Sequence, residues 1–346
     1  MAFYLDMKSF KTIARYIFFF CLTIGVMTGF LVIAAKIPQS AIQAKMKETA
    51  DYYEHIPQYT SIVPGTRGTQ IHNRADETWL SIAYCYDQEH PLESVMWSSY
   101  YLSPHKGIHE SFLEAVDNEI QAGGNRQYLR YWHGAAGLMR FFHIFMNINQ
   151  IFAFMAVVFC ILLFWLCIIL SKRGFLIETA CLVISLSMVS IWAVPFCMEY
   201  VWVFLCVVVS TIFAGRLVLK RGYEQLGMLF LVTGMITVYL DFLTAETLTL
   251  LIPLLLILRI SKKSGWAIGN RWLFSVKSGI LWGIGYLGTW IMKWVIASAV
   301  LGQNVMPLVR EHVEERIGGS VSLPITEFLL QVKASQFTVL YKVPGG

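Results

Sequence analysis

From residue 16 to residue 35 the chain carries no charge, and similar apolar runs recur near 148–170, 175–196, 199–219, 224–241, 243–260 and 278–302. A helix that crosses the hydrocarbon core of a bilayer needs about 20 such residues. A surface helix of a soluble domain would instead show a polar face. Seven runs of this kind require lipid as the solvent for much of the surface. Composition agrees: 56 % of residues are hydrophobic and 14 % charged, against the roughly 25 % charged residues of a soluble domain. The expected fold class is an all-α membrane protein of about seven transmembrane helices, with a large helical loop after the first. The first run faintly resembles a signal peptide at "VIAAKI", but its apolar core exceeds the usual length of about 7–15 residues. An uncleaved anchor is expected.

Lysines and arginines collect on cytoplasmic loops. Here they cluster at Lys8, Lys11 and Arg15, at Lys172 and Arg173, at Arg216, Lys220 and Arg221, and at Arg259, Lys262, Lys263 and Arg271. These are alternate loops, so the clusters agree on one topology in the cell membrane, with a cytoplasmic N-terminus. The expected organisation is an N-terminus and first helix over 1–35 and an extracytoplasmic helical loop over 36–147. A six-helix region over 148–302 and an extracytoplasmic segment over 303–346 follow, the last open to being a truncated end. The net charge of +5 follows from this pattern and does not point to nucleic acid. All cysteines but Cys85 lie in apolar runs, where a thiol acts as a small hydrophobe, so no disulfide framework is expected.

The loop carries helical signals at "AIQAKMKETADYYEHI" and "HESFLEAVDNEIQ", with turns at "PGTRG" and "AGGN". In "NRADETWLSIAY" the apolar Trp79, Leu80, Ala83 and Tyr84 share a helical face. Asp76 and Glu77 then fall near the helix start, where negative charge is favoured. They are either helix-start acids or catalytic carboxylates that take a proton from an acceptor hydroxyl, with a divalent metal ion as a candidate cofactor. No cysteine–histidine set has metal-ligand spacing, and no residue is assigned as a metal ligand. "NRQYLRYWHGAAGLMRFFHIF" has the composition of an interfacial helix. Its Arg130, His133 and Arg140 either anchor headgroups or clamp a lipid phosphate.

Other charges sit where lipid is expected. Asp241 and Glu246 interrupt an apolar stretch whose two halves are each short of a full crossing. They form either a tight polar turn, helped by Thr244 and Thr247, or the lining of a polar cavity together with Glu199. Lys293 lies near the end of the last run and either snorkels to headgroups or binds a phosphate. Around it, Trp282, Tyr286, Trp290 and Trp294 form a stripe fit for packing, for an interface belt or for a sugar surface. Gly279 and Gly283 form a GxxxG pair that permits close helix contact.

The acidic pair in the first large loop, "ADETWLSIAY", resembles that of the lipid-linked GT-C glycosyltransferases. "RYWHG", "DFLT" and "WGIGY…W…KW" are similar to stretches in uncharacterised multi-pass membrane proteins of Gram-positive bacteria. The GT-C resemblance implies sugar transfer from a polyprenyl-phosphate donor to an envelope glycan acceptor at the outer membrane face. It implies Asp76 as base, with Glu77 as its neighbour or as the alternative, and it sets Arg130 and His133 near the donor phosphate, which Lys293, on the reading of the last run, would also hold. Glu199, Asp241 and Glu246 would line the cavity or hold the acceptor. The alternatives are a transporter or flippase of envelope lipid or glycan, and a non-catalytic envelope protein whose partner is membrane lipid.

Overall fold

The computed structural model describes residues 2–62, 70–120, 123–219, 223–240, 244–263, 268 and 270–317. Asp241, the "PGTRG" turn and most of the segment after 302 lie outside the described residues. Within residues 1–303, one compact unit, the chain runs α1 (Ala2–Ala35), α2 (Gln39–Glu54), β1 (Tyr59–Ser61), β2 (Gln70–His72), α3 (Asn73–Tyr84), α4 (Pro91–Trp97), α5 (Ile108–Asp117) and α6 (Gly134–Phe142). It continues through α7 (Ile148–Lys172), α8 (Leu176–Met188), a 3₁₀ turn (Ile191–Phe196), α9 (Met198–Leu219), α10 (Tyr223–Leu240), α11 (Leu248–Lys263) and α12 (Arg271–Leu301). A second unit, 304–346, contains α13 (Met306–Ile317). Apart from one antiparallel hairpin, pairing Tyr59 with His72, the regular structure of the described residues is helical.

Among the described residues, four helical stretches are long and apolar enough to cross a membrane: Lys11–Ala35, Ile148–Lys172, Met198–Val218 and Arg271–Leu301. The protein is thus a helical, multi-pass membrane protein. On α12 the exposed residues Ile280, Ile284, Leu287, Ile291 and Val295 form an aliphatic stripe, while Ser278, Gly285, Tyr286, Thr289 and Lys293 are buried. A soluble helix buries its aliphatic face; this one turns it outward, as lipid requires. The run expected as one span over 175–196 is broken. α8 has 13 residues, about 20 Å at 1.5 Å per residue, and Ser190 then enters the left-handed region before the 3₁₀ turn.

Close packing of α10 on α12 comes from glycines other than the GxxxG pair. A Cβ on Gly285 would land on the Leu231 carbonyl, and one on Gly234 on the Trp282 carbonyl. Gly279 and Gly283 face open space. Gly285 is two positions from Gly283, about 200° around the helix, so only one of the two can meet α10. A hydroxyl on α11 also meets both helices. Thr249 Oγ1 donates to the Glu246 carbonyl at 2.7 Å and accepts from the Trp282 indole at 3.0 Å. It lies 2.9 Å from Thr237 Oγ1, which donates to the Thr233 carbonyl at 2.7 Å.

The segment between α1 and α7 folds as a helical bundle. α2 buries Ile42, Met46, Ala50 and Tyr53 along one face, the spacing of an amphipathic helix. The stretch expected as one interfacial helix is instead extended and turned up to His133, and only Gly134–Phe142 is helical. His133 has φ 56°, and a Cβ on Gly134 would strike the Tyr239 ring. α7 starts at a capping box, with Asn147 accepting from Gln150 N and Gln150 accepting from Asn147 N.

Arg140, fully buried, ties the bundle to α1. Its Nη1 donates to Ala83 O at 2.6 Å and Tyr84 O at 3.2 Å, at the C-terminus of α3. Its Nε and Nη2 donate to Ile37 O at 3.1 and 2.6 Å, just past α1. Arg140 is therefore no phosphate clamp; its donors face two helix ends. Burial lowers its pKa to about 10, so it stays charged at neutral pH. Next to it His143 donates from Nδ1 to Met139 O at 2.7 Å and accepts from Thr49 at Nε2. Burial holds its pKa down to about 4.

Replacing Arg140 by Leu leaves the carbonyls of Ile37, Ala83 and Tyr84 without their donor, at about 1–3 kcal/mol for each. We expect a loss of roughly 3 kcal/mol or more in thermal or denaturant unfolding in detergent micelles. Arg140→Lys should recover only a fraction, because one ammonium does not span both helix ends. Unfolding of Arg140→Leu indistinguishable from wild type would refute the clamp.

Candidate functional site

Asp76 and Glu77 are adjacent on α3, so their side chains leave the helix about 100° apart, and they meet different partners. Both are fully buried. Asp76 turns toward the start of α9: its Oδ2 accepts from Met198 N at 3.2 Å and from Tyr53 OH at 3.3 Å. A carboxylate on the free N–H groups of a helix N-terminus is favoured by the helix dipole. Burial nevertheless raises the Asp76 pKa well above the ordinary value, against the downward pull of the Met198 amide and with the Glu199 charge adding to the rise. The expectation that Asp76 acts as base is corrected here. A fully buried carboxyl on a helix end does not reach an acceptor hydroxyl, and it joins the loop bundle to α9.

Glu77 turns toward α5. His109 Nδ1 donates to its Oε1 at 2.7 Å. The Glu77 side chain is fully covered, whereas His109 is 16 % exposed. Burial raises the Glu77 pKa, and the His109 hydrogen bond and the Arg74 charge pull it back. This is the geometry of a carboxylate that orients an imidazole, which leaves the other ring nitrogen as the basic atom. His109 is a partner of Glu77 that sequence reasoning missed. It stands 32 residues from Glu77 in an ordinary amphipathic helix, and nothing local marks it.

Of the nearby arginines, Arg74 acts on Glu77, and three arginines act on Tyr100. The fields of Arg126, Arg74 and Arg130 all act on the Tyr100 phenol, and Tyr100 pairs backbone to backbone with Arg126. Arg74 and Arg126 are exposed and Arg130 half-buried. The Arg130 guanidinium lies over the rings of Tyr128 and Tyr131, at 4.7 and 5.0 Å, and its Nη2 donates to Tyr128 OH at 2.9 Å. Its carbonyl accepts from Trp290 and Trp294 at 2.5 and 3.2 Å. Both indoles of the α12 stripe thus fix Arg130 at the junction of bundle and membrane helices. A guanidinium has the fork geometry that matches phosphate oxygens in bidentate fashion.

His133 and Lys293 do not join them, which corrects their expected role as phosphate ligands. His133 Nε2 donates to Tyr128 O at 2.8 Å, and burial drops its pKa to about 3, so the ring carries no charge for a phosphate. Lys293 is fully buried. Its Nζ donates to Val95 O at 2.7 Å and reaches Ser98 Oγ at 3.4 Å, at the C-terminus of α4, with the Trp132 ring 5.7 Å away.

Glu199, in the first turn of α9, lies beside Asp76, and its Oε2 is 3.6 Å from His72 Nδ1. Glu246 sits in the turn before α11, where its carbonyl accepts from Thr249 N and Oγ1; Asp241 is outside the described residues. A cavity of about 400 Å³ does open nearby, but Ile71, Ser190, Cys197, Tyr200 and Ala245 line it, rather than Glu199 or Glu246. Among the described residues, no group of three or more His, Cys, Asp or Glu is arranged to hold a metal ion.

The raised pKa of Asp76 sets a pH dependence. Its contribution to stability is complete below the ordinary aspartate value of 3.8 and is lost as pH rises through the higher folded value. Asp76→Asn keeps an acceptor for Met198 N and Tyr53 and cannot ionise. Melting temperature measured from pH 4 upward should therefore fall less steeply for Asp76→Asn than for wild type. Parallel profiles would show that Asp76 is not protonated in the fold.

No protein-family model, no curated protein and no solved structure matches the chain, so the chemistry of the cluster is argued from its geometry alone.

Proposed function

We propose that this is a GT-C-like membrane glycosyltransferase that moves a sugar from a polyprenyl-phosphate donor to an envelope glycan. The observation that carries this reading is the Glu77–His109 pair, with the Arg74 charge acting on Glu77. In this scheme His109 takes the proton of the acceptor hydroxyl as that oxygen attacks the anomeric carbon, and Glu77 stabilises the imidazolium. The bond from sugar to phosphate breaks, and Arg74, Arg126 and Arg130 neutralise the leaving phosphate. No metal ligand is assigned.

The proposed topology has the N-terminus cytoplasmic and seven crossings, by α1, α7, α8 with its 3₁₀ turn, α9, α10, α11 and α12. The bundle then faces outward. Contacts at the opposite end of the helices support this: Arg259 pairs with Glu178 at 2.5 Å and Lys263 donates to the Gly174 carbonyl, in the region where positive charge gathers.

Vesicles carrying the purified protein and a radiolabelled polyprenyl-phosphate sugar test the reading by release of polyprenyl phosphate. His109→Gln should lower the rate by about 10²–10⁴-fold, the usual share of a general base. Glu77→Gln should lower it in step, Arg130→Ala should raise KM for the donor, and Asp76→Asn should leave turnover within a few-fold once folding is matched. Lipid moving across the vesicle without release of sugar would establish the flippase alternative instead.

A further inference from the structure

Two extended segments of the loop bundle meet edge to edge at Tyr100. Tyr100 and Arg126 exchange both backbone hydrogen bonds, at 2.9 and 3.1 Å, as a directly opposed antiparallel pair. The side chains of such a pair stand on one face, with Cα atoms about 5.5 Å apart. Tyr128, two residues beyond Arg126, shares that face, and its ring lies 6.1 Å from the Tyr100 ring. Neighbouring residues fix the junction. Asn125 accepts from Leu102 N through Oδ1 and donates to Leu102 O through Nδ2, both at 2.8 Å. A Cβ on Gly124 would strike the Tyr100 backbone, so the close approach requires glycine.

That face is cationic and half-open. Arg126 is exposed and Tyr100 half-buried, and the Tyr100 hydroxyl makes no hydrogen bond among the described residues. Arg130 adds its charge through the guanidinium that covers the Tyr128 ring. Burial and the Tyr128 phenol push the Tyr100 pKa up, and the charges of Arg126, Arg74 and Arg130 pull it back. A phenol that keeps its proton thus sits in the field of three cations. The face also lies near a membrane boundary. α12 has 31 residues, about 46 Å, so when centred it extends about 8 Å past the hydrocarbon at each end. Trp294 is about 10 Å from the end at Leu301, the level at which indoles sit among headgroups, and it donates to Arg130 O.

An anion at this place meets several donors from above and hydrocarbon below. A phosphate monoester offers them three terminal oxygens, where a carboxylate offers two. We propose that Tyr100 and Arg126, with the Arg130 charge beside them, form a site for the phosphate of a lipid monoester, the Tyr100 hydroxyl and the Arg126 guanidinium donating to its oxygens. In the transfer reading this is where the polyprenyl phosphate is held, and to that extent the proposal rests on that reading. Binding itself needs neither His109 nor a sugar, so the two are tested apart.

Titration of the full chain in mild detergent with farnesyl phosphate, farnesol or inorganic phosphate, read by native mass spectrometry, tests it. Wild type should bind one farnesyl phosphate, and should bind farnesol and inorganic phosphate at least tenfold more weakly. Tyr100→Phe keeps the ring and loses the donor, and affinity for farnesyl phosphate should fall about tenfold, the worth of one hydrogen bond to a charged group. Arg126→Gln, at an exposed position, should weaken it by about tenfold or more. Arg173→Gln, exposed at the far end of α7, should change nothing. Tyr100 and Arg126 are independent positions, so misfolding of one variant leaves the other as the test. Equal affinity in the folded variants and wild type would overturn the proposal. So would a wild type that binds no farnesyl phosphate, one that binds farnesol equally well, or one that holds inorganic phosphate as tightly as the lipid. Binding of this pattern in a protein without transferase activity would keep the site and remove the transfer reading. Transfer that Tyr100→Phe and Arg126→Gln leave intact, without loss of binding, would do the reverse.

Discussion

Buried charge is satisfied here mainly by helix ends of opposite sign. Arg140 faces the carbonyls at the ends of α1 and α3, Lys293 those of α4, and Asp76 the amide at the start of α9. The cations lie at helix C-termini, where the peptide dipoles favour them, and the Asp76 carboxyl accepts from a free amide at a helix N-terminus. Each of these contacts also joins the loop bundle to a long apolar helix or to the chain leaving one. A charge at such a junction is costly alone, and a helix end at the junction has unpaired backbone groups. Each offsets the other only when the bundle is docked, so the same contacts that neutralise the charges specify where the bundle sits.

That arrangement separates two kinds of polar residue. Asp76, His133, Arg140, His143 and Lys293 are enclosed, and each makes hydrogen bonds to the backbone. Glu77 is enclosed too, but its partner is the partly exposed imidazole of His109. Arg74 and Arg126 remain exposed, and Arg130 is held half-open by two tyrosine rings and two indoles. The second group differs from the first in keeping some contact with solvent, on an enclosed scaffold that holds it in place.

Sequence reasoning reached the class and much of the secondary structure. Hydrophobic runs and caps are local properties, and α3 coincides with the stretch whose apolar face was read from its spacing. It failed where the answer lay across space. The acidic pair was read as one unit, but the different surroundings of its two members were not recoverable. Both residues occupy one helix start, and only their partners, Met198 in one case and His109 in the other, distinguish them. Likewise Gly279 and Gly283 carry the familiar spacing, but Gly285 faces α10.

The sequence by itself determined that this is a helical membrane protein, because long uncharged runs leave lipid as the only favourable solvent, whatever the packing. It also determined where charge would be conspicuous. Only the tertiary structure decided which of those charges are locked into the fold and which remain exposed. That outcome depends on which helix end or ring arrives within about 3 Å of each group, and such distances between residues far apart in the chain are set by packing rather than by local sequence.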